Sequence, residues 1–440
     1  MLWTYNQTHD ASLLELAKTL RNQAYPWAGI YRDNRFYDFG ADFQPHHIVN
    51  VNQAFKFPAI AYQISKDQND AASYSAGVKI TDQQYGRIDG QISGTEMLSG
   101  RVRRTALNSA PISNESSPTA LRWRPLPTLR SAIALKKSPI TRCPLTPRAD
   151  MRQITYYQMP NQVGATIGSN GFQQDYHNGN VPGPHSGFPC CCYNWHTGWP
   201  KFVQQMWMAT QDDGVAAVAY GPNRLQTKVA GGVPLSIQQT TDYPFAETIR
   251  FQINPEKQAR FPLLIRLPAW CEAPTIVVNG RNESGLKPGS FHRIDREWKA
   301  GDVVELTLPM TVRTSTWVHG AVGIERGPLA FALRIKEQWT SIKHYAPNFE
   351  EYTVQPMSPW NFAISLAGPK PFDVTTAPVP AVPFENNSPP VVLRARPSDC
   401  RAGDYGPSLA VSCSVERRMA GHSLPTLACQ SSRTCRTNSR

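Results

Sequence analysis

The sequence contains no run of about 18 consecutive apolar residues, so no segment is expected to cross a membrane as a helix. It also lacks a disulfide framework. Of its 9 cysteines, Cys143, Cys400, Cys413, Cys429 and Cys435 fall in two compositionally odd segments, leaving the run Cys190, Cys191, Cys192 and the single Cys271. Acidic residues are scarce in those same two segments. Residues 101–149 hold ten Lys/Arg against Glu115 alone, and residues 391–440 hold eight Arg against three acids, while the other 341 residues carry a net charge of −2. The formal charge of +12 therefore belongs to two segments, and a nucleic-acid partner loses its main support. The N-terminus, Met1-Leu2-Trp3-Thr4-Tyr5-Asn6, has neither a basic n-region nor an apolar h-region, so secretion by a cleaved signal is not expected.

What remains reads as two kinds of chain. From Asp10, an available N-cap, the residues Leu13, Leu14, Leu16, Ala17 and Leu20 have helical spacing. Further helices are expected over 51–64, 70–84 and 195–209, the last with Phe202, Met206 and Trp207 on its apolar side. Consecutive helices without intervening strands point to stacked helical hairpins, as in a bundle, a solenoid or an α/α barrel. After Asp213 the period changes. Strand-like runs over 215–220, 235–240, 248–253, 262–267, 275–278, 303–308 and 322–324 are separated by turn residues such as Asn279-Gly280. This spacing suggests a β-sandwich following the helical part, with the boundary near residue 212.

Residues 101–149 fit neither part. Ser, Pro, Arg and Leu dominate and no apolar period persists, which suits either a basic disordered linker or out-of-frame sequence. The end of the chain, from about residue 391, has a similar bias.

The Cys190-Cys191-Cys192 run is the obvious place to look for chemistry. Paired thiolates are soft ligands suited to zinc, but a Cys-Cys pair alone lacks zinc-ribbon spacing; structural, metal and redox roles all stay open on local sequence.

The stretch Phe188-Pro189-Cys190-Cys191-Cys192-Tyr193-Asn194 resembles the Cys-Cys-x-x-Asn motif of the DUF1680 group, glycoside hydrolase family 127, whose members include β-L-arabinofuranosidases. His47-Ile48-Val49-Asn50 resembles the family's His-Gly-Val-Asn segment, and Ser93-Gly94-Thr95-Glu96 its Ser-Gly-Asp-Glu segment. Asp242-Tyr243-Pro244-Phe245, Arg266-Leu267-Pro268-Ala269-Trp270, residues 298–302 and Arg326-Gly327-Pro328-Leu329 resemble pieces of its β-domain. The resemblance spans roughly residues 10–100 and 150–390.

It implies an α + β multidomain fold, a partial (α/α)6 barrel followed by a β-sandwich. On that layout residues 1–212 are the partial barrel, 213–335 the β-sandwich, 336–390 a second β-rich segment and 391–440 a basic tail. The activity implied is retaining hydrolysis of a non-reducing-end L-arabinofuranoside or related sugar. Cys190 is then the nucleophile, Glu96 the acid/base, His47 a sugar-hydroxyl partner, and Cys190 and Cys191 zinc ligands. The implied partner is a carbohydrate substrate, with neither nucleic acid nor membrane. Each residue also has a plainer reading: Glu96 as a solvated carboxylate, His47 as a hydrogen-bonded core histidine, Trp195 and Trp199 as helix packing. The competing class is a catalytically inactive fragment or a carbohydrate-binding β-sandwich protein.

One departure stands out. The family's zinc site resembles three cysteines and a glutamate, with a Glu-x-Cys pair ahead of the Cys-Cys pair, and nothing in residues 101–149 reads Glu-x-Cys. Read from the third base of each codon, however, Thr105–Ala110 permits Gly-Thr-Glu-Leu-Cys-Ala, and Lys137–Leu145 permits Val-Ala-Tyr-Asn-Ala-Leu-Pro-Ala. Both resemble the family in one shared frame. A frame change accounts for the charge, the prolines and the missing ligands together.

Overall fold

The structure is a computed structural model. It describes all residues except 39, 41, 43, 89, 91, 95–96, 99–106, 109–151, 159–161, 169–175, 189–197, 318–320, 361–362, 365–370, 385–387, 396–399, 402–409 and 413–440.

Six helices precede residue 85: α1 (Leu2–Thr8), α2 (Ser12–Gln23), α3 (Trp27–Asp33), α4 (Ile48–Ala54), α5 (Lys56–Ser65) and α6 (Gln68–Gln84). Asp10, expected as the N-cap of α2, sits one residue too early: the cap is Ala11, without a side-chain cap bond, and the Asp10 carboxylate accepts Ser12 N–H at 2.9 Å, whereas Asp67 caps α6 by accepting Asn69 N–H at 2.9 Å. The single helix expected over 51–64 is broken at Phe55 into α4 and α5. Pro58 has no N–H to give to the carbonyl of Ala54, so the helix restarts with proline in its first turn.

Tyr31 organises the core of this part. It is fully buried, stacks on Phe55 at 4.6 Å and Trp27 at 5.8 Å, and donates its hydroxyl to the Val51 carbonyl. Gly77 of α6 lies against it, and a Cβ there would fall 2.7 Å from Tyr31 Cβ, so glycine sets the approach of α3 to α6. Beside it, Asp70, 2% exposed, accepts two bonds from Arg21 Nη2 (2.9 and 3.0 Å) and one from Ser65 (2.7 Å).

A seventh helix, α7 (Gly198–Gln204), leads into the β part. The helix expected to run on to Ala209 stops there, and Trp207–Ala209 is a strand. Pairing with Val215–Ala217 serves its backbone groups, and the Trp207 indole donates to Asn223 Oδ1 at 2.8 Å; tertiary partners override the local period.

Two sheets follow. The first runs in the order Arg281–Asn282, Thr275–Val278, Asp302–Thr307, Thr248–Pro255, Val233–Thr240, Asn223–Val229, all antiparallel. The second runs Ser290–Trp298, Ala259–Leu267, Val215–Ala217, Trp207–Ala209, with one parallel pairing, Val215–Ala217 to Ala259–Leu267. Ile237, Ile249, Phe251 and Leu306 of the first share one buried cluster with Phe261, Leu263, Ile265 and Trp298 of the second. In the first sheet's strands Val233–Thr240, Thr248–Pro255 and Asp302–Thr307 burial follows the period-2 pattern seen in sequence, whereas Ala259–Leu267 is buried almost throughout.

A third six-stranded sheet holds Val312–Thr316, Val322–Arg326, Leu329–Leu333, Ala410–Ser412, Val391–Ala395 and Phe372–Thr376. Its strands lie on both sides of residue 335, and Val391 and Leu393 are fully buried. Folded chain thus continues past residue 390, where a basic tail was expected to start. Arg326 ties this sheet to the residue just ahead of the first sheet's strand Thr248–Pro255: its guanidinium meets Glu247 Oε1 at 2.7 Å, and that oxygen also accepts Met310 N–H at 2.9 Å. A hairpin of Glu337–Ala346 and Phe349–Pro356 stands apart from the sheets. No helix among the described residues is long and apolar enough to cross a membrane.

Candidate functional site

Of the four residues singled out from sequence, only His47 is among the described residues. Cys190, Cys191 and Glu96 lie outside them, as do most of residues 101–149.

His47 is half-buried at the N-terminus of α4, in an extended conformation (φ −65°, ψ 124°) with its carbonyl accepting Val51 N–H at 3.0 Å. Its side chain does not cap the helix, so the ring is not committed to that role. The backbone at His47 bridges to Met97, and Leu98 N–H donates to the His46 carbonyl at 2.9 Å. Gly94 in turn bridges to Leu98, and Ser93 N–H reaches the Tyr85 carbonyl at 2.7 Å. The chain around the two motifs read separately in sequence is therefore stitched together: Met97 and Leu98 are held to His47 and His46, and Gly94 is held to Leu98.

Sequence reading missed the residues that secure this turn. His46 stacks on Tyr37 at 4.9 Å with the rings 19° apart, and the Tyr37 hydroxyl donates to the Leu98 carbonyl. Burial pushes the Tyr37 phenol up to about 12, with Tyr85 nearby adding to it, so it stays a neutral donor. Asn52, one turn beyond Ile48, is 1% exposed with neither amide atom hydrogen-bonded. No periodic signal marks such residues.

The second motif is approached from Tyr176 to Phe188. Phe188 is exposed and stacks on Tyr176 at 5.7 Å, immediately before Pro189-Cys190.

The described residues do not complete a zinc site: no group of three or more His, Cys, Asp or Glu is placed to hold a metal ion among them. Cys271 is buried in the β part. Burial, with the Glu247 and Glu272 carboxylates adding to it, pushes its thiol up to about 11, the opposite of what a thiolate ligand needs.

Comparison with known proteins bears on this arrangement. Residues 214–310 match the family model described as Beta-L-arabinofuranosidase, GH127 middle domain. A structure titled glycoside hydrolase aligns at TM-score 0.60 and 17% identity, covering 80% of this chain and 70% of the other. A GH127 β-L-arabinofuranosidase from Geobacillus stearothermophilus T6 aligns at TM-score 0.57 and 16% identity, covering 80% and 67%. A further GH127 β-arabinofuranosidase aligns at TM-score 0.55 and 16% identity, covering 80% and 64%. At these identities the likeness bears on the fold. No curated protein matches the chain by sequence. The resemblance read from short motifs is thereby supported: residues 214–310 match the middle domain of glycoside hydrolase family 127.

Proposed function

We propose that the chain is a glycoside hydrolase of the β-L-arabinofuranosidase type, built as a partial (α/α)6 barrel over residues 1–212 and a β-sandwich from residue 213, with carbohydrate as its partner. The observation that carries this reading is the joining of the His46–His47 stretch to Met97 and Leu98, just after Glu96, with Gly94, just before it, bridged to Leu98. A sugar-hydroxyl partner and an acid/base need to sit in one site, and the backbone bridges hold their segments together.

In the reaction, the Cys190 thiolate attacks the anomeric carbon as Glu96 gives its proton to the leaving oxygen. Water, deprotonated by Glu96, then displaces the sulfur and releases the sugar with retained configuration. His47 binds a sugar hydroxyl. Zinc on Cys190 and Cys191 would hold the thiol ionised, but the residues present supply half of a four-ligand set, and no step here is routed through the metal.

The test is hydrolysis of a β-L-arabinofuranoside by the full chain. Cys190→Ser should abolish turnover while Cys192→Ser is tolerated; undiminished turnover in Cys190→Ser sinks the assignment. The missing Glu-x-Cys pair favours a second reading, a catalytically inactive fragment or a carbohydrate-binding β-sandwich protein, for which no turnover, with or without sugar binding, is the expected result.

A further inference from the structure

Phe36 and Tyr37 are sequence neighbours with opposite surroundings. Phe36 is fully buried, edge-to-face with Tyr31 at 5.6 Å and with Tyr85 at 5.9 Å, whereas Tyr37 is 51% exposed. Arg35 N–H donates to the Ile30 carbonyl at 3.0 Å, and Arg35 Nε to Asp38 Oδ2 at 2.6 Å, closing the turn around the pair. Tyr37 therefore stands on a backbone that cannot shift unless Phe36 leaves its aromatic neighbours in the core.

The chain from Tyr85 to Leu98 is fastened to this pair at both ends. Tyr85, whose ring meets Phe36, accepts Ser93 N–H on its carbonyl at 2.7 Å, and the Leu98 carbonyl accepts the Tyr37 hydroxyl. Leu98 N–H passes on to the His46 carbonyl at 2.9 Å, while the His46 ring lies on the Tyr37 ring at 4.9 Å with the planes 19° apart. Tyr37 thus holds His46 twice, through its ring and through the residue that pairs with its carbonyl. His47 comes next, bridged to Met97 and accepting Val51 N–H on its own carbonyl at 3.0 Å. The backbone is fixed on both sides of the His47 Cα, and with it the direction in which the imidazole leaves the chain.

We infer that Tyr37 is a positioning residue for the His47 imidazole, setting its direction through His46 and Leu98 so that it meets a sugar hydroxyl. The inference rests on the proposed role of His47 as a sugar-hydroxyl partner. It adds to the site a residue that lies outside both sequence motifs.

The test uses the full chain, modification of histidines by diethyl pyrocarbonate mapped by mass spectrometry, and methyl β-L-arabinofuranoside as the protecting sugar. In the unsubstituted chain the sugar should slow modification of His47 and leave His344, exposed on the hairpin, unaffected. Tyr37→Leu removes both the ring stack and the hydroxyl, and should raise the sugar concentration for half-protection about tenfold, within the on the order of 100-fold that a 1 Å misplacement costs. Tyr37→Phe keeps the stack and loses the donor, so it should fall between. Tyr31, fully buried in the helical core, should resist nitration by tetranitromethane in both variants, a readout that general loosening of the fold would move. An unchanged half-protection concentration in Tyr37→Leu overturns the inference while leaving the His47 reading intact. Nitration of Tyr31 alongside lost protection also overturns it, because Tyr37 would then serve the helical core as a whole. Absence of His47 protection in the unsubstituted chain overturns the His47 reading, and the inference with it.

Discussion

Gly94 and Ile48 touch so closely that a Cβ on Gly94 would lie 2.6 Å from Ile48 Cδ1 and 2.5 Å from the Met97 carbonyl oxygen. The glycine is needed here for space, since it lets the chain at Gly94 and Met97 press on the first residue of α4. Gly94→Ala should destabilise the helical part by about 1–3 kcal/mol, the usual range for overpacking against neighbours that cannot yield. Urea denaturation followed by circular dichroism measures this, and a loss below about 0.5 kcal/mol, the level of an ordinary surface change, would show that the turn can move away from the helix.

The Arg326–Glu247 pair makes a second structural prediction. Arg326 is 8% exposed, while the Glu247 side chain is 35% exposed and can rehydrate when its partner is removed. Arg326→Met should therefore cost about 1–3 kcal/mol, less than a fully buried broken pair. Glu247→Gln should be milder, because a carbonyl oxygen can still accept Met310 N–H. A double-mutant cycle by calorimetry checks the coupling; additive losses would mean that the two residues act independently.

How much of this was legible in the sequence depends on whether local signals agree with tertiary ones. Helix α6 has its Asp67 cap, and the strands over 233–240 and 302–307 alternate cleanly because one face is buried and the other is not. Trp207–Ala209 misleads because a three-residue strand has no period of its own and is created by its partner. Val391–Ala395 is a buried strand hidden by the arginine-rich composition that follows it. At the site, each motif was visible separately, but the pairing of His47 with Met97 depends on how the chain returns to α4. The turn residues of Asn178-Gly179-Asn180 and Pro182-Gly183-Pro184 are a readable signal of the loop they form.

Alkaline pH should weaken the β part through Cys271. Its thiol is held up to about 11, above the ordinary value of 9.0, because burial disfavours the thiolate. Below pH 9 the thiol is neutral in folded and unfolded chain alike. Between about 9 and 11 only the unfolded chain ionises, so stability falls as pH rises through that window. Tyr243, pushed up to about 12 by burial, extends the fall further. Denaturation midpoints for the parent and Cys271→Ala at about pH 7.5 and about pH 10.5, below the window and well into it, isolate the thiol: the parent should lose more between the two. Equal losses would show that Cys271 does not couple to unfolding there.

The last prediction concerns zinc, and it joins the metal to the odd composition of residues 101–149. A closed structural site needs four ligands, and binding strength comes from completing the set. Cys190 and Cys191 are two thiolates; the other two expected ligands are missing from the sequence as written, though the third-base frame over Thr105–Ala110 permits them. The chain as written should therefore hold well under one zinc after dialysis against a mild chelator, measured by plasma mass spectrometry. A version carrying the third-base frame across residues 101–149 should hold one. If the chain as written keeps a full, chelator-resistant zinc, substitute ligands exist and the frame argument loses its purpose. If the nucleotide sequence of codons 100–150 has stops in the third-base frame, or fails to spell Glu-Leu-Cys across codons 107–110, the frame argument fails outright. The segment is then a basic insertion, and the chain is read as the alternative, a catalytically inactive fragment or a carbohydrate-binding β-sandwich protein.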